Sequence, residues 1–275
     1  MNKTNQTEIY KNFRDNGIIT FSDIFESTDI ENIKNILRHE YKNIYNVRAL
    51  DLSNSGILNI VINKKIKYLI NLLIPDGILW HCLYLRTPSN QSKPHFDPQT
   101  RYGSWHRDRV TDYTHNRIDF VDIMIYLNDV DENDGAFAFL PKQPNINIDD
   151  ASHSSKIIGS KGTSIFSRID WYHTATPNMG NKDREMIRLS FAKNMYHAII
   201  QESEDYKNLR NSYKEKDDFL FFIFGGNRSW YKNVEQPSQN FNEIINFEIP
   251  PLNWEFKKSY KNIVKSKLKK IFTKN

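Results

Sequence analysis

Short apolar segments separated by turn signals fill the middle of this 275-residue chain. Each segment has the length of a β-strand and is rich in β-branched or aromatic residues, which is typical of strands. Helical patterns come before them, and no internal repeat interrupts the series. We therefore predict a mainly β fold with flanking α-helices, either a β-sandwich or a jelly roll. The predicted strands cover residues 17–21, 78–86, 117–128, 136–140, 163–166 and 186–192.

Two amphipathic helices are predicted before most of the strands. Thr28 and Glu31 match a capping box, in which both side chains can bond the first amides of a helix. Apolar residues then recur at helical spacing, first as Ile30, Ile33, Leu37 and Tyr41, and again within residues 64–73 as Ile66, Leu69, Ile70 and Leu73. We place the N-terminal helices within about residues 28–74.

The chain beyond residue 193 follows no single pattern. Residues 206–218 are highly charged, and residues 219–224 have the composition of a buried strand. In residues 256–275, apolar side chains recur at helical spacing and lysines occupy the other side, which is typical of a basic amphipathic helix. Because no linker composition occurs anywhere, we predict one domain over residues 1–275, with a C-terminal extension that ends in this helix.

Charge is distributed unevenly along the chain. The formal net charge is +5, and eight lysines lie within residues 257–274, so removing them leaves −3 for the remainder. This imbalance argues against nucleic acid as a partner of the whole protein. The basic tail has three interpretations: a solvated helix, an element that docks on a partner, or a peripheral membrane helix attracted to anionic lipid. If the tail folded back onto the rest of the domain, the apolar side chains of its helix would be buried equally well.

The single cysteine, Cys82, excludes an internal disulfide framework and favours a reducing compartment. Residues 1–16 are polar, with charges of both signs, and contain no apolar core of a secretory signal. No apolar run approaches the length of a transmembrane helix. We therefore predict a cytoplasmic protein.

Two His-x-Asp triplets offer the side chains of a metal site, His95 with Asp97 and His106 with Asp108. In an extended segment, residues two apart face the same side, so each pair can aim one nitrogen and one carboxylate oxygen at a common point. His173 is a candidate for a third ligand, which would leave the opposite side of the metal open. On spacing alone, either triplet could bind a metal.

Several motifs in order resemble the phytanoyl-CoA dioxygenase family of iron(II)- and 2-oxoglutarate-dependent oxygenases. They are Trp105-His106-Arg107-Asp108, the turn from Tyr126 to Gly135, Leu140-Pro141, His173, Asn178 and Arg184. The resemblance covers about residues 79–193 and implies a double-stranded β-helix, the cupin-like jelly roll. It also implies that His106, Asp108 and His173 bind Fe(II). The family has a Leu-x-Asp-Val turn about twenty residues after the ligand pair, and Asp108 fits that distance whereas Asp97 does not. His95 and Asp97 are then either lining residues of the substrate entrance or solvated loop residues.

The family also places an arginine eleven positions after the distal histidine, which here is Arg184. The resemblance implies that Arg184 binds the distal carboxylate of 2-oxoglutarate, and a guanidinium offers two parallel donors that match a carboxylate. Arg188 can face the same side of a strand. It is a second candidate for the co-substrate, or for an anionic group of the main substrate. The alternative for both is a surface ion pair with Asp183 or Glu185.

The resemblance implies a hydroxylase that consumes O2 and 2-oxoglutarate and releases succinate and CO2. Its substrate would be a small molecule, a lipid or a glycan precursor, and the arginines around the motif would suit an anionic one; they are Arg86, Arg101, Arg107, Arg109 and Arg117. Related halogenases replace the carboxylate ligand by a small residue, so Asp108 favours hydroxylation or another hydrogen abstraction. Lys142-Gln143-Pro144 stands where the family usually has Gly-Ser-His, which leaves the substrate class open. Two alternatives are a non-catalytic jelly-roll binding protein and an enzyme with the same ligands that does not use 2-oxoglutarate.

Overall fold

Two antiparallel sheets form the centre of the fold. The computed structural model describes residues 3–42, 44, 46–75, 77–91, 105–108, 118, 120–140, 154–192 and 204–224. The larger sheet contains β1 (Ile18–Phe21), β2 (Asn46–Arg48), β3 (Ile78–Thr87), β4 (Phe120–Tyr126), β7 (Ser164–Ser167) and β9 (Arg184–Ala192), in the order β1-β7-β4-β9-β3-β2. The smaller sheet contains β5 (Phe137–Phe139), β6 (Ser155–Ile157) and β8 (His173–Ala175), in the order β6-β5-β8. The predicted jelly roll is confirmed.

The larger sheet is buried on both faces. Successive side chains along its central strands point alternately to the two faces, so each central strand contributes to two separate cores. Along β4, Val121, Ile123 and Ile125 pack into the core that contains the helices. The intervening Met124 and Tyr126 pack into a second core with residues of the smaller sheet, including Phe137 and Phe139. Strand β9 alternates in the same way. The space between the two sheets is therefore where Arg184 and Arg188 can meet residues of the smaller sheet.

Helices cover the outer face of the larger sheet. They are α1 (Lys3–Asn16), α2 (Ser27–Glu40), α3 (Ala49–Asn54), α4 (Ile57–Val61), α5 (Lys64–Leu73), α6 (Glu204–Tyr213) and α7 (Asp218–Ile223). The apolar spacing predicted α2 and α5 correctly, because Ile30, Ile33 and Leu37 are buried, as are Ile66, Leu69, Ile70 and Leu73. Helices α1, α3 and α4 were not predicted, since the first is strongly polar and the other two are too short to show a period.

Two local predictions were wrong. The capping box of α2 joins Glu26 and Asp29, so Thr28 lies inside the helix and does not cap it. Residues 219–223 of the predicted strand belong to helix α7 instead. A short apolar run does not distinguish the two by its pattern, and here Asp217 caps the helix by accepting a 2.9 Å hydrogen bond from the Leu220 amide. Leu220, Ile223 and Phe224 then lie on one buried face.

Several predicted features lie outside the described residues: His95, Asp97, Lys142-Gln143-Pro144 and the basic helix of residues 256–275. Within the described part of the chain, no helix is long and apolar enough to cross a lipid bilayer.

Candidate metal and co-substrate site

His106 and His173 lie side by side, although 67 positions separate them in the sequence. Their backbones form an antiparallel bridge, in which the His106 amide donates to the His173 carbonyl at 3.1 Å and the His173 amide donates to the His106 carbonyl at 2.9 Å. The centroids of the two imidazole rings are 4.6 Å apart. The backbone pairing therefore places both rings on one side of the sheet that contains β8.

Asp108 completes the cluster from two residues further along. Its amide donates to the Ile169 carbonyl at 2.9 Å, which fixes the backbone. Its Oδ1 atom lies 3.5 Å from His106 Nε2, and its Oδ2 atom lies 3.8 Å from His173 Nε2. One ligand atom from each residue lies within 4.8 Å of those of the other two. Two imidazoles and one carboxylate at this separation can hold one metal ion, and the set matches a facial iron(II) site.

The orientation of His173 is set by a second contact. Its Nδ1 atom lies 2.8 Å from the carbonyl oxygen of Trp171. A carbonyl only accepts, so the neutral ring carries its proton on Nδ1, and Nε2 faces Asp108 as an acceptor. Burial lowers the pKa of His173 to about 4. The ring is therefore neutral at physiological pH, the form that binds metals.

The electrostatics of Asp108 favour the ionised form. Burial alone would raise the pKa of this carboxyl, but Arg188 and the two histidines outweigh burial and hold it well below its usual range. Asp108 is thus a carboxylate throughout the neutral range. An ionised oxygen donor beside two imidazoles is a donor set that divalent iron accepts.

The loop between β7 and β8 supports the cluster. In it, the guanidinium of Arg168 makes two hydrogen bonds to Asp170, at 3.1 and 2.6 Å, and both residues are buried. The Arg168 amide also donates to the Gly17 carbonyl at 2.8 Å, which ties the loop to the start of β1. Trp171 is 3% exposed and therefore belongs to the hydrophobic core, as most aromatic residues in a β-sandwich do.

Arg184 is buried at the start of β9 without a carboxylate beside it. Its guanidinium donates to the Gly135 carbonyl and, at 2.8 Å, to the hydroxyl of Thr87. Its Nε atom has no hydrogen-bond partner among the described residues, and none of their acidic side chains forms an ion pair with it. Burial lowers its pKa from the ordinary value. A buried cation of this kind is costly unless an anion joins it.

Arg188, four residues further along β9, is in the opposite situation. Its Nη2 atom donates to Asp108 Oδ2, and its Nε atom donates to Asp122 Oδ2. Burial would lower its pKa, but the two carboxylates raise it above the ordinary value. Asp122 is 1% exposed on β4, and burial raises its pKa to about 6 despite the opposing effect of Arg188. Neither alternative ion pair with Asp183 or Glu185 is formed by Arg184 or Arg188.

Sequence reasoning missed Asp122, Thr87 and Gly135. The signal for Asp122 is a single acidic residue inside an otherwise apolar strand, since β4 reads Phe-Val-Asp-Ile-Met-Ile-Tyr. Of the arginines suggested for an anionic substrate, Arg86 pairs with Asp183 at 2.6 Å, and the guanidinium of Arg107 lies 4.7 Å above the Tyr172 ring. Arg101, Arg109 and Arg117 lie outside the described residues.

Comparisons with known proteins agree with this geometry. A family model described as phytanoyl-CoA dioxygenase (PhyH) matches residues 6–186. No curated protein sequence matches significantly.

Solved structures share the fold. The alpha-ketoglutarate dependent epimerase SnoN from nogalamycin biosynthesis is 13% identical, with a TM-score of 0.56 over 74% of this chain and 91% of that chain. AviO1 from Streptomyces viridochromogenes Tue57 is 15% identical, with a TM-score of 0.53 over 70% of this chain and 96% of that chain. HygX from Streptomyces hygroscopicus, solved with nickel and 2-oxoglutarate, is 13% identical, with a TM-score of 0.50 over 70% and 87%. Since the family model spans well over half of the chain, the protein belongs to the phytanoyl-CoA dioxygenase family of iron- and 2-oxoglutarate-dependent oxygenases.

Proposed function

We propose that this oxygenase hydroxylates a small molecule, a lipid or a glycan precursor, with succinate and CO2 as co-products. In this proposal His106, Asp108 and His173 bind Fe(II), and Arg184 binds 2-oxoglutarate. Iron, once bound, supplies the activation of O2 that couples decarboxylation of 2-oxoglutarate to substrate oxidation. The protein contributes position, charge and exclusion of water.

The uncompensated charge of Arg184 is the observation that carries the proposal. A guanidinium that is 4% exposed, has a donor without a partner and lies near no described carboxylate is suited to receive an anion. Arg184 and Arg188 are four residues apart on one strand, or roughly 13 Å. Because Arg188 contacts Asp108, a dicarboxylate extending from the metal cluster toward Arg184 would join the two parts of the site.

The contacts of Arg184 also suggest how it would act. The Gly135 carbonyl and the Thr87 hydroxyl hold the guanidinium by its two terminal nitrogens. A planar cation held in this way loses little freedom when a carboxylate binds, and therefore binds it more tightly. Thr87 offers a hydroxyl to the same carboxylate, because it lies opposite Arg184 in the β3–β9 ladder.

Arg188 stays a predicted contact of 2-oxoglutarate or of an anionic group on the substrate. Its two carboxylate partners make it a weaker candidate than Arg184 for the co-substrate, because its charge is already compensated. Asp108 supports hydroxylation over halogenation, since it occupies the position that a halide would need. We also propose a cytoplasmic location, which the sole, buried thiol of Cys82 supports, and membrane contact through residues 256–275 as one use of the basic tail.

Anaerobic binding of Fe(II) and 2-oxoglutarate tests the site assignment. We expect wild type to develop the weak visible charge-transfer band of chelated 2-oxoglutarate. His106→Ala should abolish the band, and Arg184→Met should require at least tenfold more 2-oxoglutarate. His39→Ala, which changes an exposed histidine of α2, is the matched control and should leave the band intact.

A band that is absent from wild type, or that survives His106→Ala, would refute the site. Admission of O2 then tests turnover, because a non-catalytic binding protein would release no succinate. Binding of Fe(II) without any effect of 2-oxoglutarate would instead identify an enzyme that uses the same ligands with another co-substrate.

A further inference from the structure

Arg188 lies between a proposed metal ligand and a second, deeply buried carboxylate. It is central in the larger sheet, where β9 runs between β3 and β4, opposite Leu83 on one side and Met124 on the other. One end of its guanidinium donates to Asp108 Oδ2, and its Nε atom donates to Asp122 Oδ2. The result is a row of alternating charge, Asp122, Arg188 and Asp108, that ends at the metal cluster.

Stability alone does not explain this row. Replacing a buried ion pair by apolar residues of similar volume is often neutral or stabilising, because each ion loses its hydration. The same face of the sheet accepts apolar residues at Met124 and Met186, which pack in the core between the sheets. Asp122 is 1% exposed, so its carboxylate is almost completely removed from water, which is costly for a charged group. These costs indicate that the pair is retained for the site.

The charges explain why both members of the pair are present. Arg188 alone would cancel the negative charge of Asp108 and would place a cation beside a divalent metal. Asp122 compensates Arg188, so the row as a whole keeps the single negative charge that Asp108 contributes. The guanidinium can therefore restrain Asp108 without weakening the attraction of the cluster for a cation.

The geometry shows which oxygen is restrained. Arg188 and His173 Nε2 lie near Oδ2 of Asp108, whereas Oδ1 lies 3.5 Å from His106 Nε2. A carboxylate that bound the metal through both oxygens would take two positions. If each of the three protein ligands bound a six-coordinate metal through one atom, three positions would stay open, which is the number that a chelating 2-oxoglutarate and O2 would need.

We propose that Arg188, anchored by Asp122, is a positioning residue that holds one oxygen of Asp108, so that Asp108 binds the iron through the other oxygen alone. The inference rests on the proposed metal site. It assigns Arg188 a role in keeping the 2-oxoglutarate positions open, which differs from direct contact with 2-oxoglutarate or substrate.

Full-length protein with Mn(II) or Fe(II) and 2-oxoglutarate, handled anaerobically, provides the test. Arg188→Met keeps the apolar stem and removes the guanidinium, and Arg188→Met with Asp122→Asn removes both charges. Arg188→Lys keeps the charge but replaces the planar guanidinium by an ammonium on a flexible stem, which orients a carboxylate less strictly. Arg86→Met is the matched control, because it breaks another Arg–Asp pair on the same sheet, on the face toward the helices.

We expect Mn(II) still to bind to the double variant, because the three ligands remain. Its 2-oxoglutarate affinity should fall by about tenfold or more, by analogy with the losses of metal affinity or activity that follow removal of a group that orients a metal ligand. The charge-transfer band should weaken or shift at saturating 2-oxoglutarate. Arg188→Lys should recover part of the loss, and Arg86→Met should match wild type.

Two results would overturn the inference. One is a double variant whose 2-oxoglutarate affinity and charge-transfer band equal those of wild type. The other is full recovery by Arg188→Lys, which would mean that charge alone matters. A wild-type protein without any band would refute the proposed function itself, so the two failures are distinguishable. If Arg188→Met alone does not fold, the double variant, in which the charge of Asp122 is removed together with that of Arg188, still gives the answer.

Discussion

The ring of Trp171 packs directly against the backbone of Gly17. A Cβ atom built on Gly17 would lie 2.3 Å from the nearest ring carbon, closer than real Cβ contacts allow. Gly17 also has φ +72°, a backbone conformation that residues with a side chain rarely adopt. Because the Trp171 carbonyl accepts the hydrogen bond from His173 Nδ1, this contact connects the first strand to the orientation of a proposed metal ligand.

Gly17→Ala should therefore weaken metal binding as well as stability. The added methyl group must displace the indole, and the movement is passed to His173 through the Trp171 carbonyl. We expect Mn(II) affinity to fall by about tenfold or more, and the free energy of unfolding to fall by about 1–3 kcal/mol from overpacking. Calorimetric titration with Mn(II) and urea unfolding of the metal-free protein measure the two effects.

Gly56→Ala is the control for that prediction. Gly56 has φ +78°, but a Cβ atom there would meet nothing within 4 Å. The control therefore carries the backbone strain without the clash, and its Mn(II) affinity should equal that of wild type. Equal losses of Mn(II) affinity in both variants would show that the packing of Trp171 on Gly17 does not influence the site.

Arg184→Met should separate stability from co-substrate binding. Removing a buried, uncompensated cation should leave the metal-free protein as stable as wild type or more stable, since the desolvation cost disappears. In wild type, 2-oxoglutarate with Mn(II) should raise the free energy of unfolding by about 2.7 kcal/mol when present at one hundred times its dissociation constant. That increase should be nearly absent from Arg184→Met at the same concentrations, as followed by thermal unfolding.

The same measurement on Arg86→Met shows whether the effect belongs to the site. Arg86 already has a carboxylate partner, Asp183, so it has no need of an added anion. We expect its response to 2-oxoglutarate to match that of wild type. If Arg184→Met kept the full stabilisation by 2-oxoglutarate, another residue would have to bind the distal carboxylate.

Stability of the metal-free protein should depend on pH through His173. Its pKa of about 4 lies below the ordinary value of 6.5, so the unfolded chain binds the proton more readily. The neutral ring contributes fully to the free energy of unfolding above about pH 6.5, and this contribution is lost as the pH falls toward about 4. We expect the advantage of wild type over His173→Gln in urea unfolding to shrink by roughly 2 kcal/mol between pH 7 and pH 4.5.

Comparing wild type with His173→Gln is necessary because Asp122 acts in the opposite direction. Because its pKa is raised from 3.8 to about 6, the protonated carboxyl of Asp122 contributes to the free energy of unfolding at low pH. This contribution is lost as the pH rises from 3.8 to about 6. The wild-type profile alone would partly conceal both effects. A difference between wild type and His173→Gln that stays constant across this range would contradict the buried, neutral state of the ring.

The sequence was informative where a local rule applies. Periodic apolar residues predicted α2 and α5 and their buried faces, because one turn of a helix returns a side chain to the same side. Strand-length apolar runs predicted β3, β4 and β9 closely. Local rules failed for β2, β6 and β8, which are three residues long and are defined by their partners in space.

The residues of the candidate site were also only partly predictable from the sequence. The ordered motifs predicted that His106, Asp108 and His173 would converge, and the structure brings them within 4.8 Å of one another. The same motifs singled out Arg184. They gave no indication of Asp122, because its role depends on Arg188 of the neighbouring strand and on burial from both sides.

By itself, the sequence determined the family and the class of fold, since these follow from residue types in a fixed order. It also predicted which residues bind iron and 2-oxoglutarate. Only the tertiary structure decided how the two arginines of β9 differ. Both are basic, four positions apart and turned toward the interior. Arg184 has no carboxylate partner among the described residues, whereas Arg188 has two. The interaction energy of a charge is set by distance and burial, and neither can be read from spacing along the chain.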